Sequence, residues 1–272
     1  MKSSCDYHSI TEAPGLKASS EQVERIVHRY WFAQEFCSGR DVLEVACGTG
    51  IGLHLLASTA KSVSAGDIDK ENVRIALEIS RGAAITVQEI DAHRLPFEEG
   101  SFDLVILFEA IYYLQDPGAF VREANRALRP GGILLIGTVN KDWEDFHPSP
   151  YSHNYLSAPE LSGLLRGTFG SVRLYGAFPT QSDGIRARLV SVLKRAAVKF
   201  DLIPGSLAAR ARLNRFFMGR LVPITERIFD NTASFELPER IPDDTANRDF
   251  KILYAIAENS YQPGFAHLMP TT

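Results

Sequence analysis

The sequence predicts an α/β fold in which a seven-stranded, mostly parallel sheet is flanked by helices, with a helical cap inserted between strands six and seven. Three observations lead there. Short apolar runs alternate with helix-patterned segments through the first half of the chain, which is the pattern of a parallel sheet. One of these runs passes directly into a glycine-rich turn, Gly48-Thr49-Gly50-Ile51-Gly52. The composition then changes abruptly after residue 178 and returns to a strand pattern at residue 250.

The elements follow in order. Residues 19–37 read as a helix, with Ser19 or Ser20 as its cap. DVLEVAC (41–47), SVSAGD (62–67), AAITVQEI (83–90), FDLVILF (102–108) and GILLIGTV (132–139) are buried-strand candidates. GLHLLAST, NVRIALEI and PGAFVREANRAL between them have helical spacing. Asp116-Pro117 caps and opens the last of these, and Arg129-Pro130-Gly131-Gly132 is a stop-and-turn signal. SVRLYGAF (171–178) and FKILYAIAEN (250–259) supply two further strands. The expected organisation is a sheet domain of residues 1–178 plus 250–272, with residues 179–249 as an inserted helical cap for substrate recognition.

Charge separates the two parts. Of 272 residues, 29 are Lys or Arg and 33 are Asp or Glu, a formal net charge of -4. Residues 181–222 alone hold nine Lys/Arg against two Asp/Glu, so a basic insertion is joined to an acidic sheet domain. The balance argues against a nucleic-acid substrate. Three scattered cysteines, none at metal-ligand spacing, argue against a disulfide framework and a zinc site. The N-terminus lacks the apolar core of a signal peptide, and no apolar run approaches the roughly 20 residues of a membrane span. A cytoplasmic protein is expected.

The strand-to-turn segment carries most of the chemistry. Glycine is required where backbone turns tightly or approaches a ligand closely. In open parallel sheets, ligands bind beyond the carboxyl ends of the strands. Asp67 ends the second strand, where a carboxylate can accept from both ribose hydroxyls, and Asp69 suits the cap of the next helix. Asp91-Ala92 follows the third strand, where the carboxylate can meet an exocyclic amine or simply form an Asx turn. Phe108-Glu109-Ala110 ends the fourth.

In this order and spacing, the chain resembles the class I S-adenosylmethionine-dependent methyltransferases, a Rossmann-like family. VLEVACGTGIG, Asp67, Asp91-Ala92 and LRPGGILLI match its motifs. The resemblance covers roughly residues 20–178 and resumes at 250–259. It departs in having Glu44 for the more usual Asp, and a long link between strands six and seven. A nicotinamide dehydrogenase is the rival for the glycine loop, but its GxGxxG differs from the GxGxG found here. The resemblance implies S-adenosylmethionine as cofactor and S-adenosylhomocysteine as product. It implies a donor site of Glu44, Ala46, Gly48, Thr49, Gly50, Asp67, Ile68, Asp91, Ala92 and Phe108; separately, His28-Arg29-Tyr30 on the N-terminal helix offers a cation or the Tyr30 hydroxyl to the methionine carboxylate, or else forms a solvated helix face. Glu44 would face the methionine amine, and Ile68 the adenine.

The acceptor is less legible. Residues 140–160 are rich in aromatics, proline and histidine, and PYSHNYLSAPEL resembles a segment of methyltransferases acting on sugars and glycans. His153 is the expected general base and Tyr112 a second catalytic candidate, because a hydroxyl acceptor must lose its proton. The expectation is methyl transfer to a hydroxyl of a sugar or glycosylated metabolite, in natural product or glycan biosynthesis, with no residue assigned as a metal ligand. N-methylation, or a non-catalytic relative kept as a scaffold, are the alternatives. The basic cap would face an anionic substrate, an anionic membrane, or a second copy in a homodimer.

Overall fold

The computed structural model describes residues 11–149, 151–180, 221–228 and 235–259. Its centre is a sheet of eight strands in the order β4-β3-β2-β5-β6-β10-β7-β9. These are β2 (Asp41–Val45), β3 (Ser62–Asp67), β4 (Ile85–Glu89), β5 (Phe102–Phe108), β6 (Leu128–Val139), β7 (Ser171–Pro179), β9 (Glu239–Ile241) and β10 (Phe250–Glu258). The first five run parallel, whereas β10 is antiparallel to both β6 and β7. All seven expected strands are present. The eighth, β9, is a three-residue edge strand on β7 that the sequence reading placed in the cap.

Among the described residues five α-helices cover the sheet: α1 (Ser20–Gln34), α2 (Leu53–Ala57), α3 (Lys70–Ile79), α4 (Pro117–Ala127) and α5 (Ala158–Arg166). Their starts are written in the sequence. Ser19 and Gln22 close a capping box on α1, Asp69 accepts from the N–H groups of Glu71 and Asn72, and Asp116 caps α4 ahead of Pro117. Because side chains alternate along β2, Leu43 and Val45 pack with α4 and α5, while Val42 packs with α1 and α2. Glu44 shares the face of Val42, a charged residue in the middle of an otherwise apolar strand.

The expected turn at Arg129-Pro130-Gly131-Gly132 is instead part of β6, which starts at Leu128. Arg129 bridges Asp41 and Asp103 and so ties together the starts of β2, β5 and β6, at the opposite end of the sheet from the glycine turn.

The cap falls mainly on residues 181–220 and 229–234, which lie outside the described residues. Among the described residues of 179–249 there are two short strands, β9 and β8 (Leu221–Pro223). β8 pairs with β1 (Lys17–Ser19), which joins this short stretch to the N-terminal strap.

Candidate active site

The order of strands reverses between β2 and β5, with β3 and β4 on one side and β6 on the other. At the carboxyl ends of these strands lies a cavity of about 530 Å³. Open α/β sheets place their ligands at this point. Two non-glycine residues there take left-handed backbone angles, Ala46 (φ 55°) after β2 and Glu109 (φ 50°) after β5. Such angles cost energy outside glycine and cluster at functional turns.

The turn after β2 is built around Asp67. One carboxylate oxygen of Asp67 accepts from the Gly48 N–H at 2.9 Å, and the other accepts from the Asp69 N–H. Gly48 and Gly50 have φ of +55° and +78°, which side chains rarely adopt. Gly52 serves packing: a Cβ there would lie 2.1 Å from the Tyr30 ring of α1. The strap of residues 11–19 crosses this turn, with the Thr49 hydroxyl donating to the Glu12 carbonyl at 3.1 Å.

Glu44 is 1% exposed. The Tyr30 hydroxyl donates to its Oε1 at 2.8 Å, while Oε2 is buried without a partner among the described residues. Burial pushes its carboxyl up to about 7, against the opposing pull of Tyr30 and Arg29. Arg29 is buried and paired with Glu12, yet its Nε has no partner among the described residues. A buried carboxylate oxygen and a buried guanidinium N–H, both unmatched and both lining one cavity, fit the ammonium and carboxylate of an amino-acid moiety. Asp67 retains lone pairs for hydroxyl donors, and Ile68, 46% exposed, offers an apolar face at the cavity wall. The residues present therefore fit S-adenosylmethionine.

Across the cavity, the Tyr112 hydroxyl donates to Glu109 at 2.9 Å. Burial raises the Glu109 carboxyl to about 6, with Arg29 and Tyr112 opposing. Asp91 forms an Asx turn with the His93 N–H and also holds the His93 ring at 2.8 Å. The other ring nitrogen of His93 accepts from the Asp116 N–H at 3.3 Å, so the proton sits on Nδ1.

Of the expected donor residues, Tyr30, Glu44, Ala46, Gly48, Thr49, Asp67, Ile68, Asp91, Ala92 and Phe108 line the cavity, as does Tyr112. Gly50 does not; it shapes the turn, and a Cβ there would meet Leu53 and Ala76. His153 does not either. Its side chain is exposed, and its backbone N–H donates to the Tyr112 carbonyl at 2.8 Å, so it steadies Tyr112 from outside the cavity. The Ser157 and Glu160 of PYSHNYLSAPEL form the capping box of α5, a local structural reason for that spacing. Among the lining residues that escaped the sequence reading are Glu12, Gln22 and Arg25. They lie before the first motif, and the one hint was Arg25 and Arg29 four apart on a helix with apolar neighbours.

Residues 43–136 match the family model described as a methyltransferase domain. A probable S-adenosylmethionine-dependent methyltransferase of Mycobacterium tuberculosis is 34% identical over 166 residues, which cover 56% of this chain and 60% of that protein. A ubiquinone biosynthesis O-methyltransferase of Pseudomonas paraeruginosa is 30% identical over 135 residues, covering 48% of this chain and 56% of that one. The chain thus spans less than two thirds of the length of these curated relatives. The YcgJ protein of Bacillus subtilis shares the fold, with a TM-score of 0.55 at 16% identity over 87% of this chain and 99% of that one. Residues 43–136, which carry the ordered motifs and much of the cavity lining, thus match a methyltransferase domain, and over about half its length the chain is similar to S-adenosylmethionine-dependent methyltransferases.

Proposed function

We propose that this chain transfers a methyl group from S-adenosylmethionine to a hydroxyl of a small-molecule acceptor. The unmatched, buried Glu44 Oε2 beneath the glycine turn carries the donor half of this reading. A group so placed costs stability unless a cation meets it. The donor supplies a methyl already activated by a sulfonium, so the protein has chiefly to align the acceptor and take up a proton. Glu44 and Arg29 hold the amino-acid end, Asp67 and Ile68 the nucleoside, and Tyr112 borders the acceptor.

Glu109 is the proton acceptor in this reading, in place of His153. It lines the cavity, is ionised above about pH 6, and is oriented by the Tyr112 hydroxyl. The sugar-type acceptor suggested by the 150–161 segment loses part of its support, since the Ser157–Glu160 spacing is accounted for by the helix cap. We keep the hydroxyl and leave the acceptor's body to the cavity wall.

Calorimetry with S-adenosylhomocysteine tests the donor half. Wild type should bind it, and Glu44→Gln should weaken binding roughly tenfold or more, the usual scale for losing a hydrogen bond to a charged group. Absence of binding to the wild type would remove the donor assignment. Binding without turnover on any acceptor would mark a non-catalytic relative. Mass spectrometry of the methylated product separates oxygen from nitrogen acceptors.

A further inference from the structure

We propose that the acceptor carries a negatively charged group, a carboxylate or a phosphate ester, and that Arg25 receives it; this rests on the methyltransferase reading above. Helix α1 presents Arg29 and Arg25 to the same cavity. Four residues along a helix is a rise of about 6 Å. Arg29 belongs to the donor end, beside Tyr30 and Glu12. Arg25 sits one turn away, with its guanidinium 5.8 Å from the Trp143 ring and 5.7 Å from the Phe178 ring. Trp143 follows β6 and Phe178 ends β7, so three separate elements hold this side chain in place.

Arg25 and Lys251 share one carboxylate, Glu21, which is itself 45% exposed. Arg25 Nε is buried and has no partner among the described residues. Leaving such a donor unmatched is costly, and an anionic oxygen is its best complement. The carboxylates that line the cavity have partners of their own: Glu12 with Arg29, Glu44 through Oε1 with Tyr30, Asp67 with the glycine turn, Asp91 with His93 and Glu109 with Tyr112. Arg25, held by Glu21 through one guanidinium nitrogen, thus keeps its buried Nε–H for an anionic ligand and is a specificity determinant. Tyr113, Leu114, Val139 and Ile252 also line the cavity and suit a compact apolar or aromatic body. The acceptor class is a small, apolar-bodied hydroxy acid or phosphate ester, with its hydroxyl toward Glu109 and its anion on Arg25.

Full-length protein saturated with S-adenosylhomocysteine is titrated calorimetrically with 4-hydroxybenzoate, 4-hydroxyphenyl phosphate and 4-hydroxybenzamide. At least one anionic probe should bind roughly tenfold more tightly than the neutral amide, and the arm that does so identifies carboxylate or phosphate. Arg25→Gln should erase that preference while leaving S-adenosylhomocysteine affinity unchanged, which also shows that the variant is folded. Arg25→Lys should keep part of the preference. Equal affinity for all three probes, no binding of any, a preference that survives Arg25→Gln, or a parallel loss of S-adenosylhomocysteine affinity would each overturn the inference. Failure of wild type to bind S-adenosylhomocysteine would instead sink the reading on which it rests.

Discussion

Glu44 and Glu109 are both buried, and burial raises both carboxyls, but they have different work to do. Glu44 must be ionised to meet an ammonium, so binding must remove its proton whenever the pH is below about 7. Affinity for S-adenosylhomocysteine should then fall by up to about tenfold per pH unit below that point, and Glu44→Gln should abolish the slope. Titrations at pH 5.5 and 8 check this; a flat wild-type profile would contradict it. Glu109, as proton acceptor, should give kcat/KM a rising acid limb near pH 6. Glu109→Gln should lower turnover by about 10²-fold or more with little change in donor affinity. Unchanged turnover would return the search for a base to His93, the histidine that lines the cavity.

At the scale of elements, the site depends on how α1 is pressed against the turn after β2. Gly52 permits the contact, because only a hydrogen fits against the Tyr30 ring. Gly52→Ala should therefore destabilise the protein by about 1–3 kcal/mol, as overpacking does, and weaken S-adenosylhomocysteine binding by displacing the Tyr30 hydroxyl from Glu44. Gly163, inside α5 with open space around it, provides the opposite case. Gly163→Ala should stabilise by about 0.5–1 kcal/mol through helix propensity alone. Thermal or urea melts of the two variants distinguish these signs, and a shared sign would refute the packing account. The N-terminal strap acts on the same turn through Glu12 and Thr49, and its pairing with β8 links it to the inserted segment.

For the whole molecule, the buried carboxylates make stability depend on pH. Glu44 and Glu109 both have folded-state values, about 7 and about 6, above the ordinary 4.5. The folded chain therefore retains protons that the unfolded chain has released. Their contribution is complete below about pH 4.5 and is lost as pH rises through 6 and 7, on the order of 3 kcal/mol for Glu44. His28 works in the other direction: burial between Tyr254 and the Glu236 carbonyl lowers its value, so its contribution is lost as the pH falls. The difference between wild type and Glu44→Gln isolates the carboxylate. The ligand-free variant should gain stability over wild type between pH 5.5 and 8, measured by calorimetric melting. A constant difference would refute the linkage.

The sequence by itself determined the sheet strands, the helix caps, the glycine turn and Asp67, because each is a local pattern: alternation, a capping side chain, a positive φ. It named strand-end residues that line one cavity for the same reason, since they follow consecutive strands of one sheet. Only the tertiary structure decided which groups share the cavity from a distance. Arg25 and Glu12 reach it from before the first motif, Glu109 emerges as the buried partner of Tyr112, and His153 stays outside with its side chain in solvent. Burial and unmatched hydrogen bonds arise from the packing of elements remote in sequence, and no spacing along one chain records them.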